Sequence, residues 1–387
     1  MKKICVFTGG RAEYGLLKPL LTLLKNNNNI ELQILVSGMH LSREFGLTYR
    51  LIEEDGFNCD EKVEMILSSD SSISISKSMG LGMISFSEAL SRLNPDLLIT
   101  LGDRFENLSI VTTAWVSRIP VAHIQGGEKT LGAIDDQFRH CITKLSTWHF
   151  VAAEEYRNRV IQLGEHPSNV YTVGALNVDA LKKIETLSKS NLEKEIDFSF
   201  KGNTILITFH PVTLEFNTAK SDFEELLNVV DSIDDLKIIF TKTLADTDGR
   251  VINEMIDDYV LLNKHKAIAF TSMGQLKYIS TLKYITAVVG NSSSGVIETP
   301  SFQLPTVNIG KREYGRIMAD NLICVKQDFN EIKKGINKAL SKEFKRSLKG
   351  MKNPYEKKDT ALNISKILCN IKLPKTTMKE FYDLNTK

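Results

Sequence analysis

The sequence predicts an α/β protein of two doubly wound, Rossmann-like domains facing a cleft. Three observations predict it. Short β-branched runs alternate with longer amphipathic stretches, the rhythm of βαβ units around a parallel sheet. That rhythm stops at the polar stretch 188–203 and then restarts. Two apolar runs also end in polar, anion-handling loops, Gly102-Asp103-Arg104 and Gly290-Asn291-Ser292-Ser293-Ser294-Gly295. Ligands of open parallel sheets sit beyond the carboxyl ends of strands, where backbone N–H groups and helix N-termini point outward. Two such loops in one chain imply two sheets sharing one anionic ligand.

In order along the chain, the first domain spans 1–187, with strands at Ile4–Thr8, Leu32–Val36, Leu97–Leu101, Val121–Ile124, Phe150–Ala152 and Val170–Val173. Residues 188–203, charged and serine-containing, read as the hinge. The second domain spans 204–355, with strands at Thr204–Phe209, Lys237–Phe240, Ala267–Phe270, Ala287–Val289 and Thr306–Ile309. Leu362, Ile364, Ile367, Leu368 and Ile371 have helical spacing and follow the turn-like Asn353-Pro354-Tyr355, so 356–373 is expected to hold a last helix crossing back between domains. Residues 374–387 are polar and read as a tail. The serine-rich 68–78 reads as a solvated loop, with a mobile lid as the alternative.

Composition narrows the function classes. The chain has 387 residues, 42% hydrophobic and 25% charged, which fits a globular protein of about two to three domains. Its 49 basic and 47 acidic side chains nearly balance, which argues against a nucleic-acid or anionic-membrane partner recognised by bulk charge. The apolar run after Met1-Lys2-Lys3 is too short for a signal peptide or a membrane helix. Cys5, Cys59, Cys141, Cys324 and Cys369 are odd in number and widely scattered, without a C-x-x-C pair. Neither a disulfide framework nor a structural zinc site is expected, and the cytoplasm is the simplest compartment.

The candidate chemistry lies at strand ends. Gly9-Gly10-Arg11 precedes an amphipathic segment, so backbone amides and Arg11 could meet a phosphate there, or could form a tight turn beside an exposed arginine. Asp103 could cap the next helix while Arg104 pairs on the surface. Glu128, Asp135, Asp136, Arg139 and His140 follow the adjacent strand, however, and carboxylates gathered on one rim are pushed toward useful acid/base behaviour. On a helix, Asp136 with His140 and Asp135 with Arg139 could meet side by side. His210 leaves a strand just before Pro211. Ser292, Ser293 and Ser294 can donate to a diphosphate at a helix start, with Glu298 one turn on to accept from a ribose. Lys311, Arg312 and Arg316 add positive charge.

Together, Arg11-Ala12-Glu13-Tyr14-Gly15, Ser37-Gly38-Met39-His40-Leu41, Gly102-Asp103-Arg104, His123-Ile124-Gln125-Gly126-Gly127-Glu128, Ile134-Asp135-Asp136, Arg139-His140, His210-Pro211-Val212-Thr213 and Gly290-Asn291-Ser292-Ser293 resemble the UDP-N-acetylglucosamine 2-epimerases, and the hydrolysing branch in particular. The resemblance implies a fold like the type B glycosyltransferases, with UDP held mainly by the second domain. It implies conversion of UDP-N-acetylglucosamine and water to UDP and N-acetylmannosamine, for sialic acid synthesis. The alternative substrate is UDP-2,4-diacetamido-2,4,6-trideoxyglucose (UDP-N,N'-diacetylbacillosamine), for legionaminic acid. No metal and no cofactor is implied, and a homo-oligomer, dimer or tetramer, is.

Position by position, Asp103 and Asp135 match acid/base candidates and His210 the histidine near the leaving diphosphate. Arg11, Arg104, Ser292, Ser293, Glu298 and Arg312 match nucleotide-binding positions, and Arg139 and His140 line the substrate rim. Gln125 departs from the pattern, standing where many relatives carry a catalytic glutamate that a neutral amide cannot replace. Glu128, three residues on, is the candidate to supply that carboxylate, with His140 or water as the other routes. Leu244 departs too, since relatives often have asparagine near it, and losing one polar contact can change sugar selectivity.

Overall fold

The computed structural model describes residues 1–69, 71–212, 218–243, 249–374 and 376–384. Thr213 and Leu244 lie outside the described residues. The chain divides into two compact units. The first comprises Met1–Glu128, Asp135–Ala180 and Tyr355–Lys387; the second comprises Lys129–Ile134 and Leu181–Pro354.

In the first unit, seven strands form one parallel sheet: β1 (Lys2–Thr8), β2 (Ile30–Ser37), β3 (Glu61–Val63), β4 (Leu97–Leu101), β5 (Val121–Ile124), β6 (Trp148–Val151) and β7 (Val170–Thr172), in the order β3-β2-β1-β4-β5-β6-β7. All five residues of β4 and all four of β5 and of β6 are buried. Such apolar runs are what a strand covered by helices on both faces requires. The helix Arg11–Lys25 buries Tyr14, Leu17, Leu20, Leu21 and Leu24, one helical stripe, on one face of the sheet. The last helix, Thr360–Asn370, packs Ala361, Ile364 and Leu368 into the same core.

Six strands form the second unit's parallel sheet: β8 (Asn203–Thr208), β9 (Leu236–Thr241), β10 (Ala267–Phe270), β11 (Ala287–Gly290), β12 (Thr306–Ile309) and β13 (Leu322–Val325), in the order β10-β9-β8-β11-β12-β13. In each sheet the strand order reverses once, at β1/β4 and at β8/β11. Those reversals are the topological switch points, where an open sheet leaves a crevice at its carboxyl edge. Gly9-Gly10-Arg11 and Gly102-Asp103-Arg104 leave the first; His210 and Asn291-Ser292-Ser293 leave the second.

Four features differ from the sequence expectation. The edge strands β3 and β13 were not foreseen: β3 is three residues long and mostly polar, and β13 alternates covered and exposed residues. The serine-rich run read as a loop starts a long helix, Ser72–Leu93, because Ser71 accepts from the Ser74 amide as N-cap while Ser74 and Ser78 lie on the buried face. Within 188–203, the helix Lys189–Ile196 seats Leu192 and Ile196, with Phe200 beyond it, in the second unit's core. The residues read as a tail also dock on the first unit. Lys379 Nζ donates to the carbonyls of Lys144 (2.8 Å) and Ser146 (2.6 Å) and pairs with buried Glu165, and the Tyr382 amide donates to Gly164 O (2.9 Å). Among the described residues no helix is long and apolar enough to cross a membrane.

Candidate active site

At the first switch point, Glu13 sits in the first turn of its helix and reaches back to accept from the Gly9 amide (2.6 Å), while Asn107 Nδ2 donates to its other oxygen (3.0 Å). Burial pushes the Glu13 carboxyl up to about 7, against those two hydrogen bonds, with nearby Glu106 adding to the rise. Glu106 is itself buried, and Arg104 Nε lies 3.3 Å from its carboxylate. Arg11 is the first residue of the helix and half-buried, which lowers its guanidinium pKa. Gly38 has φ +59, and a Cβ there would come within 2.6 Å of Gly9 O, so the 37–41 loop presses on the β1 exit only as glycine.

Arg139 is the hub of the rim. It is 1% exposed; its Nη2 donates to Asp103 Oδ2, and its Nη1 donates to Glu128 O (3.0 Å) and Asp136 Oδ1 (3.4 Å). Asp136 Oδ2 lies 3.6 Å from His140 Nε2, the pair foreseen four residues apart. Asp103 is therefore not simply a helix cap; Arg104 occupies the N-cap position of Phe105–Val116. A buried guanidinium with carboxylates on two sides fixes them in direction through charge-assisted hydrogen bonds. Asp135 opens the helix Asp135–Leu145 and is half-exposed beside Asp136; Glu128 is buried. Gln125 has φ +65, and its Nε2 donates to Asn177 Oδ1 (2.7 Å). A left-handed glutamine before two glycines turns the chain sharply at the β5 exit.

The second switch point is built on amides and hydroxyls. His210 and Asn291 clasp each other: the His210 amide donates to Asn291 Oδ1 (2.7 Å) and Asn291 Nδ2 donates to His210 O (2.8 Å). His210 Nδ1 lies 2.9 Å from Thr243 Oγ1. Arg312 Nη1 donates to Asn291 O (3.1 Å) and to buried Glu313 (2.6 Å). Ser292 is the N-cap residue of the short helix Ser293–Ile297, and both Ser292 and Ser293 are half-exposed. Glu298 ends that helix and accepts from Ser294 Oγ (2.7 Å), which also meets the hydroxyl of Tyr278. Burial and Glu298 raise the Tyr278 pKa, so the phenol keeps its proton for this chain of hydrogen bonds.

Lys129–Ile134 clusters with the second unit, although Glu128 before it and Asp135 after it belong to the first. Leu131 N donates to Tyr314 O (3.2 Å), and a Cβ on Gly132 would come within 2.7 Å of Arg312 Cα. Sequence reading missed this strap, and gave no role to Glu13, Glu106, Asn107 or Asn291. Glu13 and Asn291 lay inside the matched motifs; Asn107 joins nearby Thr100 and Leu101 O to the distant Glu13, and Glu106 pairs with Arg104 two residues before it.

Two buried histidines make the fold acid-sensitive. His40, between Thr8 Oγ1 (3.1 Å) and Thr48 Oγ1 (2.8 Å), is lowered by burial from 6.5 to about 4, and His123 from 6.5 to about 3. Both are neutral in the fold and take up a proton on unfolding below pH 6.5. Their contribution is thus complete above 6.5 and is lost as pH falls toward 4 and 3, at up to about 1.4 kcal/mol per pH unit for each. Urea midpoints should fall steeply between pH 6 and 4, and His40→Gln should flatten the fall. An unchanged slope in that variant would remove His40 as a source.

Two parallel-sheet units, one with ionisable groups at its switch point and the other with an amide- and hydroxyl-rich loop there, have the plan of nucleotide-binding α/β enzymes. Residues 22–369 match the family model described as UDP-N-acetylglucosamine 2-epimerase. The chain belongs to that family. It is 41% identical over 346 residues to the GDP/UDP-N,N'-diacetylbacillosamine 2-epimerase (hydrolyzing) of Campylobacter jejuni, covering 89% of each chain. With polysialic acid biosynthesis protein P7 of Escherichia coli it shares 35% identity over 99% of this chain and 98% of the relative. In fold it is similar to the UDP-GlcNAc 2-epimerase of Neisseria meningitidis bound to UDP-GlcNAc, with TM-score 0.80, 19% identity and coverage of 96% and 100%.

Proposed function

We propose that this chain is a hydrolysing 2-epimerase of a UDP-linked 2-acetamido sugar, with the acid/base groups on the first unit and the nucleotide held mainly by groups of the second. The observation that carries this reading is the carboxylate cluster organised by buried Arg139, set at the first switch point of a chain with these relatives. The proton on sugar C2 becomes removable only as the C1–O bond to the diphosphate lengthens. One carboxylate takes that proton, the electron pair forms the C1=C2 bond, and UDP leaves. Water then adds to C1 and a proton returns to C2 on the opposite face, which inverts that centre. Two acid/base groups are needed. Asp103 is assigned as one; Glu128 and Asp135 are the candidates for the other, since Gln125 has no titratable proton. His210 and Arg312 steady the departing diphosphate, with Ser292, Ser293, Arg11 and Arg104 as further ligands and Glu298 toward the ribose.

For the sugar, the 41% relative's name supports the 2,4-diacetamido-2,4,6-trideoxy substrate, and in sequence Leu244 stands near where relatives often have asparagine, which agrees with a different sugar. UDP-N-acetylglucosamine is the second reading, supported by the full-length relative named for polysialic acid biosynthesis. The test is incubation in deuterated water with each UDP-sugar, and with the GDP form of the first, following nucleotide release and C2 deuterium by NMR. Release with a C2-deuterated manno product is expected. Release without C2 deuterium, or none from any sugar, overturns the proposal. Ser293→Ala should weaken UDP binding about tenfold by calorimetry, the loss of one hydrogen bond to a charged group. An unchanged dissociation constant removes Ser293 from the site.

A further inference from the structure

We propose that His123 is a positioning residue, a single imidazole that joins the three segments carrying the candidate acid/base groups. His123 lies on β5 and is fully buried. Its Nε2 is 2.7 Å from the carbonyl oxygen of Gly102, the residue before Asp103. Its Nδ1 is 3.1 Å from Thr143 Oγ1, on the helix that carries Asp135, Asp136, Arg139 and His140. Gly126, in the turn between Gln125 and Glu128, lies against the same ring: a Cβ there would stand 2.9 Å from His123 Nδ1 and 2.9 Å from Thr143 Oγ1. Loop, turn and helix thus meet on one side chain.

Chemistry fixes the tautomer. A carbonyl oxygen only accepts, so Nε2 carries the proton and Nδ1 accepts from the threonine hydroxyl. Burial keeps the ring neutral, and His149, its neighbour on β6, opposes a positive charge there. With both nitrogens engaged and no exposed surface, the ring has no path to substrate. It acts through Gly102, which has φ +86 with open space around a Cβ position, and whose amide donates to Ile124 O (3.0 Å) while its carbonyl meets the ring. The hydrogen bond from His123 aims Asp103 at the reacting carbon and at Arg139.

For turnover this inference rests on the proposed epimerase reading, while its geometric part does not. The experiment compares the full chain with His123→Phe, His123→Gln and Thr143→Val. Phenylalanine keeps the ring's bulk without a donor, and kcat should fall about 100-fold, the scale of a misplacement of about 1 Å, with KM and UDP binding within about threefold. Glutamine places an amide donor near Nε2 and should restore at least about tenfold of that loss. Thr143→Val leaves Nδ1 without its donor and should give an intermediate kcat. In the unmodified protein, 15N NMR of the imidazole should show protonated Nε2 and bare Nδ1 down to pH 5.

The opposite tautomer, or a ring that titrates near neutral pH, overturns the proposal even if no variant folds. So does a His123→Phe enzyme with undiminished kcat, or a loss shared equally by kcat, UDP binding and folding that glutamine does not rescue. If the unmodified protein releases no nucleotide, the function fails first, and the tautomer measurement still decides the geometry.

Discussion

Asp103→Asn is expected to lower turnover by about 1000-fold or more while UDP binds within about twofold of the unmodified protein, as removal of a general acid or base requires. Asparagine retains an acceptor oxygen toward Arg139 Nη2 and nearly the same volume. Arg139 also keeps Glu128 O at 3.0 Å and Asp136 at 3.4 Å, so the buried guanidinium is not stranded. What disappears is the negative charge and the ability to hold a proton. Single-turnover UDP release, C2 deuterium exchange and calorimetry with UDP separate the two effects. If turnover stays near normal, Asp103 is only the counter-ion of Arg139, and Asp135 and Glu128 must share the chemistry. Parallel measurements on Glu128→Gln and Asp135→Asn would then find the pair.

Central strands and nucleotide-type loops were legible in the sequence because their signals are local. Strands β1, β4, β8 and β11 are covered on both faces, so their apolar runs are continuous; β1, β4 and β11 end abruptly at glycine, and β8 at Phe209-His210-Pro211. Edge strands are covered less, and β3 shows Glu61 and Lys62 before its single buried valine. The serine-rich helix was misread because serine is a poor helix former in general, yet small enough at 74 and 78 to be buried. In the carboxyl-terminal segment, polar composition hides that Lys379 finds two carbonyls and a carboxylate.

The site divides along the same line. In Gly290-Asn291-Ser292-Ser293 the helix start at Ser292 and Ser293 is local and reads directly, whereas the clasp of Asn291 with His210 spans 81 residues. Asp103 with Arg139, and Glu13 with Asn107, are joined by the fold across long stretches of chain, so only their presence on the same sheet edge could be anticipated. Gln125 shows the limit of motif matching. The departure from glutamate is plain in sequence, but its left-handed backbone and its hydrogen bond to Asn177 belong to the fold.

Gly290→Ala should be the most damaging single methyl group in the chain. Gly290 pairs with Thr208 across β8 and β11, and its φ of +137 lies where side chains are strongly disfavoured. A Cβ at Gly290 would stand 2.0 Å from Thr208 O and 2.8 Å from Thr208 C, backbone atoms that cannot rotate aside. To admit it, β8 and β11 must part at their carboxyl ends. That movement breaks the Asn291 amide's bond to Thr208 O and the two-way clasp of Asn291 with His210, on which the second switch point is built. A loss of about 4 kcal/mol or more is expected, with UDP binding abolished in whatever folds. Gly102→Ala is the control: its φ is +86 but nothing lies within 4 Å, so only left-handed strain of about 1–2 kcal/mol applies. Urea unfolding of both variants, with UDP titration of the folded material, measures the difference. Equal midpoints would mean that backbone strain alone, and not the close approach of β8 to β11, sets the need for glycine at 290.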